Sequence, residues 1–208
     1  MKLVWSPETA SKAYIQTVKS CRESGVAELV SAMAAGWKAQ LIVETWAEGG
    51  AMGTSVGLAV ARGHTGGRHV CLLPDERSRA EYERRMAEEA GTVPEMVVGE
   101  AEEAMEGLGG VDFMVVDSSR HDFSRVLSLA DLSGQGAVLI CKNANSSAAF
   151  TWRSVVSRRL ARSVFLPVGK GLHIAHVSAV GASVAKSKRW IKHLDQRSGE
   201  LHVIRRCP

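Results

Sequence analysis

The sequence predicts an α/β protein built on one seven-stranded, mostly parallel sheet, with helices on both faces and an antiparallel hairpin near its C-terminal end. Three observations carry this. Seven short runs rich in aliphatic and β-branched residues recur along the 208 residues, and several are apolar throughout rather than alternating, as strands covered on both faces are. Segments of helical periodicity lie between the runs, and strand–helix alternation of that kind builds an open parallel sheet. The last two runs are separated only by Gly169–Lys170–Gly171, which suits a hairpin turn and leaves no room for a helix.

Taken in order, Ser6–Pro7–Glu8 opens a first helix, with serine as cap and proline in the first turn. GVAELVSAMAAGW (25–37) gives a second. AQLIVET (39–45) is the first strand, and residues 51–62 form a helix after the glycines that follow it. RHVCLL (68–73) is the second strand. DERSRAEYERRMAEEAG (75–91) is a helix with acids early and Gly91 as its stop. EMVVG (95–99), VDFMVVD (111–117) and GAVLICK (136–142) are strands three to five, with HDFSRVLSLADL (121–132) as the helix between the last two. SAAFTWRSVVSRRL (147–160) is a further helix, and SVFLPV (163–168) and LHIAHVSAV (172–180) make the hairpin. One domain, 1–182, is followed by a short polar extension, 183–208.

Composition bounds the function. Hydrophobic residues make up 45% and charged ones 23%, the balance of a soluble globular protein. No run approaches the roughly 18 apolar residues of a membrane span, and the N-terminus lacks the apolar core of a secretory signal. A cytoplasmic protein is expected, with the nucleus as the alternative. The 4 cysteines show no CxxC spacing, which argues against a zinc site or a disulfide framework; Cys71 and Cys141 read as small buried hydrophobes. Residues 183–208 hold seven basic side chains against two acidic ones, +5, so the remainder of a +4 chain is at −1. That basic segment mixes its cations with a single tryptophan and lacks the aromatic platform of single-strand binders, so nucleic acid is not the expected partner. Pairing with acidic patches on its own or a second subunit fits it better, and a homodimer is the assembly this allows.

The chemistry is expected where strand one breaks into LIVETWAEGGAMG (41–53). Ligands of open α/β sheets sit beyond the carboxyl ends of the strands, where the strand order reverses. Gly49, Gly50 and Gly53 permit a tight turn and close backbone approach, and a helix N-terminus follows. His173 and His176, three apart on a strand, point to opposite faces and cannot share a metal.

Seven strands ending in a hairpin resemble the class I S-adenosylmethionine-dependent methyltransferase fold, a Rossmann-like architecture. VDFMVVDSSRHDF is similar to the strand-four motif of the small caffeoyl-CoA and catechol O-methyltransferases. GAVLICKNANSS looks like their strand-five motif, and LPVGKGLHIAHV like their terminal hairpin. The similarity runs from about Trp5 to Val180. The chain as a whole also looks like a plant family of unknown function catalogued as methyltransferase-like.

The resemblance implies S-adenosylmethionine as cofactor and a small-molecule acceptor. It places the cofactor between Glu44, Trp46, Gly49, Gly50, Asp75 and Asp117: Glu44 where the family has an acid for the amino-acid end, Asp75 where an acid would accept the ribose hydroxyls. Position 46 is glycine in the family. Its tryptophan either fills the methionine pocket, swings aside and stacks, or is core packing beside a vestigial site. The metal-dependent members hold a divalent cation with an Asp after strand four and an Asp–Asn pair after strand five. Asp117 and Asn143 match two of these ligands, but the third is Lys142, whose ammonium would repel a cation and stand in as counter-charge to Asp117. No metal is expected. The family's catalytic lysine falls at Arg120, which stays protonated and cannot be a base. The adjacent His121 is then the candidate base, with Lys142 and Asp117 completing the catalytic set. The leading expectation is a metal-independent methyltransferase; the alternative is an inactive member that serves as a binding or regulatory module.

Overall fold

The computed structural model describes residues 5–21, 25–146, 151–156, 160–180, 190–194 and 201–205. Helix α1 (Pro7–Ser20) is capped as expected: the Thr9 N–H donates to the Ser6 hydroxyl, and Pro7 sits in the first turn. Helix α2 (Val26–Trp37) is fixed at its start by the Gly25 N–H donating to the Glu28 carboxylate at 2.6 Å. Strand β1 (Leu41–Thr45), helix α3 (Gly53–Thr65), strand β2 (Arg68–Leu73), helix α4 (Glu76–Ala90) and strand β3 (Glu95–Val98) follow. Asp75 caps α4 by accepting from the Ser78 N–H, and Gly91 ends it at φ 65°.

The second half is less regular than the sequence suggests. Helix α5 (Ala101–Met105), where the AEEAMEG acids suggest a solvated helix face, precedes a two-stranded parallel pair, β4 (Gly109–Val111) with β6 (Asp131–Leu132), that the sequence does not announce. The run expected as one strand, 111–117, breaks at Asp112, and β5 spans only Phe113–Asp117. The physical reason is the Asp112 side chain, whose carboxylate accepts from the backbone N–H groups of Gln40 and Leu41 and ties the start of β1 to this break. Helix α6 (Phe123–Leu129) leads to β7 (Ala137–Lys142), a 3₁₀ turn (Ala144–Ser146), α7 (Trp152–Val156), β8 (Leu160–Leu166) and β9 (Leu172–Val177). Of the helix expected over 147–160, residues 147–150 and 157–159 lie outside the described ones, and Leu160 already belongs to a strand. In the expected extension, β10 (Trp190–Leu194) and β11 (Leu201–Arg205) pair antiparallel with each other; 183–189, 195–200 and 206–208 lie outside the described residues.

The seven-stranded sheet has the order β3-β2-β1-β5-β7-β9-β8. Strands β1, β2, β3, β5 and β7 are parallel, and β9 runs antiparallel to both β7 and β8. The chain builds outward from β1 through β2 to β3, then crosses back to β5. The order therefore reverses between β1 and β5, and the crevice that such a reversal opens lies at their carboxyl ends.

Strand alternation sorts the core into two layers. Leu41, Val43, Val70, Leu72, Met114, Val116, Leu139 and Cys141 pack under α5, α6 and α7. Ile42, Phe113, Val115, Val138 and Ile140 pack on the other face, under α1, α2 and α3. Toward the carboxyl ends of β1 and β2 on that second face, Trp46, Cys71 and Leu73 meet Tyr82 and Met86 of α4. Among the described residues, no helix is long and apolar enough to cross a membrane.

Candidate functional site

A cavity of about 880 Å³ opens at the carboxyl ends of β1, β5 and β7, with Gly49, Gly50, Asp117, Lys142 and Asn143 among its lining. One wall is the turn after β1. Gly49 adopts φ 74°, a left-handed conformation open to glycine, and the Gly50 N–H closes the turn on the Ala47 carbonyl at 2.9 Å. A Cβ on Gly50 would lie 2.7 Å from the Trp46 indole nitrogen and 2.9 Å from the Ala47 carbonyl oxygen, so the backbone passes where no side chain fits. The Arg85 guanidinium of α4 donates to the Gly50 carbonyl at 2.9 Å and pins the turn from behind.

The opposite wall is a polar cluster. Lys142 Nζ stands 3.4 Å from Asp117 Oδ2, and the two side chains are only 8% and 13% exposed. The other carboxylate oxygen, Asp117 Oδ1, accepts from Asn143 Nδ2 at 2.8 Å and from the Ser119 hydroxyl at 2.6 Å. The Asp117 N–H donates to the Thr45 hydroxyl at 3.0 Å, which sets the end of β5 against the end of β1. Asn143 turns sharply out of β7 at φ 59°. Burial pushes the Asp117 carboxyl up, but the Lys142 ammonium and the hydrogen bonds from Ser119 and Asn143 outweigh it and hold it below the ordinary carboxylate value. The expected Asp117–Lys142 ion pair is thus formed, beside Asn143.

The rim comes from the hairpin turn. Leu172 of β9 pairs with Lys142 of antiparallel β7, so the turn before β9 arrives at the carboxyl end of β7. It is tied there by the Ala144 and Asn145 N–H groups, which donate to the carbonyls of Gly171 and Lys170. Lys170, Asn145 and the start of α2 join the lining. In the sequence this turn reads only as a hairpin; the signal for its role is the antiparallel pairing of the last strands, which brings their turn to the ligand edge.

Other residues expected at the site lie elsewhere. Glu44 is 1% exposed and faces α3 and α4 rather than the cavity. Its carboxylate accepts from Tyr82 Oη at 2.7 Å and Ser55 Oγ at 2.8 Å, and pairs with His69 Nε2 at 2.9 Å. Burial raises its pKa, but the bonds and charge of His69 and the Tyr82 hydroxyl bring it below the ordinary value. Trp46 is also 1% exposed; it is core packing, set edge-on against Tyr82 with ring centroids 5.3 Å apart. Its indole N–H is buried without a partner, beside Gly50. Asp75 is exposed and spends its carboxylate on the cap of α4. His121 is exposed in the turn after β5 and is not among the residues lining the cavity.

Arg120 has the least expected setting. Its guanidinium makes a bidentate pair with Asp122, at 2.8 and 2.6 Å, and its Nη1 also reaches the carbonyls of Trp46 at 3.2 Å and Leu72 at 3.4 Å. Both charged side chains are about one-tenth exposed. The charges of Arg120 and Asp122, two residues apart in a turn, are the sequence signal for this pair.

The profile of the family described as Protein of unknown function (DUF1442) matches residues 1–206. No curated protein matches the sequence. Among solved structures, a methyltransferase from Geobacter sulfurreducens is similar at TM-score 0.58 and 22% identity, over 83% of this chain and 90% of that one. An O-methyltransferase from Bacillus cereus, in complex with S-adenosylhomocysteine, is similar at TM-score 0.57 and 18% identity, over 85% and 93%. A methyltransferase from Podospora anserina, also bound to S-adenosylhomocysteine, gives 0.56 and 14%, over 84% and 89%. At these identities the likeness is one of fold: the seven-stranded sheet with its terminal hairpin is the Rossmann-like fold of these methyltransferases.

Proposed function

This chain belongs to the DUF1442 family, proteins of unknown function, and we propose that it binds S-adenosylmethionine in the cavity over β1, β5 and β7 and methylates a small molecule without a metal ion. The observation that carries the reading is the Asp117–Lys142 pair, which faces the glycine turn across that cavity. Support comes from the fold shared with two structures that hold S-adenosylhomocysteine.

The residues fit the amino-acid end of such a cofactor. Gly49 and Gly50 let the backbone come close, and the Trp46 indole N–H beside them is a buried donor still unused. When bound, S-adenosylmethionine supplies an electrophilic methyl group. The protein's part is to position an acceptor oxygen in line with it and to hold the charge on that oxygen. Lys142 is placed for this, its ammonium oriented by Asp117 and directed at the cavity wall. His121, exposed on the adjoining turn, is the candidate to take the acceptor's proton.

A divalent cation does not fit. Hard cations need several anionic or carbonyl oxygens, and the acid lining the cavity, Asp117, already holds Lys142, Asn143 and Ser119.

One observation favours a second reading. Glu44 and Trp46 are both turned into the core, as in a fold kept for ligand binding or regulation without turnover. Calorimetric titration with S-adenosylmethionine and S-adenosylhomocysteine, followed by methyl transfer to a panel of small hydroxylated acceptors with and without chelator, separates the two. Binding with chelator-insensitive transfer supports the enzyme; binding without transfer supports the module; no binding of either compound refutes the enzyme.

A further inference from the structure

The crevice of this sheet lies between two loops, the one after β1 (46–52) and the one after β5 (118–122). Arg120 crosses it. Its Nη1 reaches the carbonyls of Trp46 and Leu72, at the carboxyl ends of β1 and β2, while Asp122 holds the rest of the guanidinium from the same loop. The backbone beneath is closed as well, because the Trp46 N–H donates to the Leu72 carbonyl at 3.1 Å. The cavity is lined by Gly49, Gly50, Asp117 and Ser119, and neither Arg120 nor Asp75 belongs to its lining.

A dinucleotide-type or nucleoside ligand on an open α/β sheet runs from the glycine turn across the carboxyl ends of the first two strands, toward an acid beyond the second. That path is where the guanidinium sits. The geometry points to Arg120 and Asp122 as a latch across the nucleoside's path: while it is shut that path is blocked, and a nucleoside is seated along it only when the Arg120–Trp46 contact opens. This rests on the proposed binding of S-adenosylmethionine, and it adds that the nucleoside half of that ligand is admitted at a cost set by the latch. A lysine at position 120 would lack the planar fork that spans a carboxylate and two carbonyls together, so the latch depends on arginine.

Two ligand halves test it. Adenosine and methionine are titrated separately by ligand-observed NMR, and S-adenosylhomocysteine by calorimetry, into the wild-type chain and into Arg120→Ala, Arg120→Lys and Asp122→Asn. If closed latches are the majority, apparent affinity is reduced by the fraction open. Arg120→Ala should then bind S-adenosylhomocysteine and adenosine roughly tenfold or more tightly than the wild type, with methionine unchanged and Arg120→Lys in between. Asp122→Asn keeps the size of the side chain but removes the charge that holds the guanidinium, and serves where Arg120→Ala fails to fold; it should shift adenosine in the same direction. Adenosine affinity that is unchanged or weaker in these variants, while the wild type binds S-adenosylhomocysteine, overturns the latch and leaves the proposed function standing. An equal gain for methionine and adenosine also overturns it, since that is general loosening. Failure of every variant to bind S-adenosylhomocysteine removes both the latch and the function it rests on.

Discussion

The Tyr82 hydroxyl of α4 donates a 2.7 Å hydrogen bond to the Glu44 carboxylate of β1, in a layer where both side chains are fully buried. With Ser55 of α3 and His69 of β2 on the same carboxylate, this acid bolts two helices to two strands. Tyr82→Phe should therefore lower stability by about 1–3 kcal/mol, the range for leaving a buried group short of one partner. The midpoint of urea unfolding should fall while its slope stays constant. Glu44→Ala, which strands three partners, should cost more, and its first readout should be stability rather than ligand affinity. An Ala variant of native stability with weakened ligand binding would show that Glu44 faces the ligand after all.

Gly50→Ala tests the glycine turn. The added methyl meets the Trp46 nitrogen and the Ala47 carbonyl oxygen, and the second of these is backbone that cannot rotate away. Overpacking of this kind costs about 1–3 kcal/mol, and the turn should shift enough to lose S-adenosylhomocysteine binding in calorimetry. Gly63→Ala, on α3 with open space around its Cβ position, is the control: it should leave binding unchanged and, as a helix glycine replaced by alanine, gain up to about 1 kcal/mol in stability.

Acid should unfold the protein through the same buried carboxylates. Glu44 and Asp117 are both held below their ordinary values of 4.5 and 3.8, so the unfolded chain binds their protons more readily than the folded one. Their contribution is complete above about pH 4.5 and is lost as pH falls through the lowered folded values. Thermal melts from pH 7 to pH 3 should show a falling Tm below about 4.5, and the fall should be shallower in Glu44→Gln. A Tm that rises on acidification would contradict the charged state of both groups.

The sheet was legible because its strands carry uninterrupted aliphatic runs, and the hairpin because only Gly169–Lys170–Gly171 separates the last two. The Asp117–Lys142–Asn143 cluster was legible for a related reason. Residues at the carboxyl ends of neighbouring parallel strands converge whatever lies between them, and Asp117 pairs with Lys142 in register. Glu44 misled because position along a strand was read without its parity. Alternation puts Glu44 on the face of Ile42, under α3 and α4, and its partners Ser55, His69 and Tyr82 are 11, 25 and 38 residues away. Arg120 misled differently: its fixed charge rules out a base, but the carbonyls its guanidinium binds, those of Trp46 and Leu72, are 74 and 48 residues away. The small pair β4–β6 was hidden because Gly109, Gly110 and Asp131 give no apolar signal.

The ion pair at the cavity wall yields the sharpest test of metal use. Lys142 Nζ and Asp117 Oδ2 are 3.4 Å apart and almost fully buried. At about 4 Å and an effective dielectric near 20, a unit-charge contact is worth about 4 kcal/mol. A magnesium ion placed at Asp117 would lose an anionic neighbour at position 142 and meet a cation instead, so the native protein should show no heat of magnesium or calcium binding. Lys142→Asp reverses both effects. It sets two carboxylates beside the Asn143 amide, an oxygen-rich group of the kind hard cations take. Without metal the variant should be less stable than the wild type, because two buried like charges replace a pair. Millimolar magnesium should raise its Tm, as any ligand of the folded state does, while leaving the wild-type Tm unchanged. Lys142→Met, which removes the cation without adding an acid, should be destabilised and should stay insensitive to magnesium. Magnesium binding by the wild type at micromolar concentration would mean that Lys142 leaves the site, and would refute metal-free action. Rescue of Lys142→Asp but not of Lys142→Met would identify the missing carboxylate at position 142, rather than the lysine's charge alone, as what denies the ion its site.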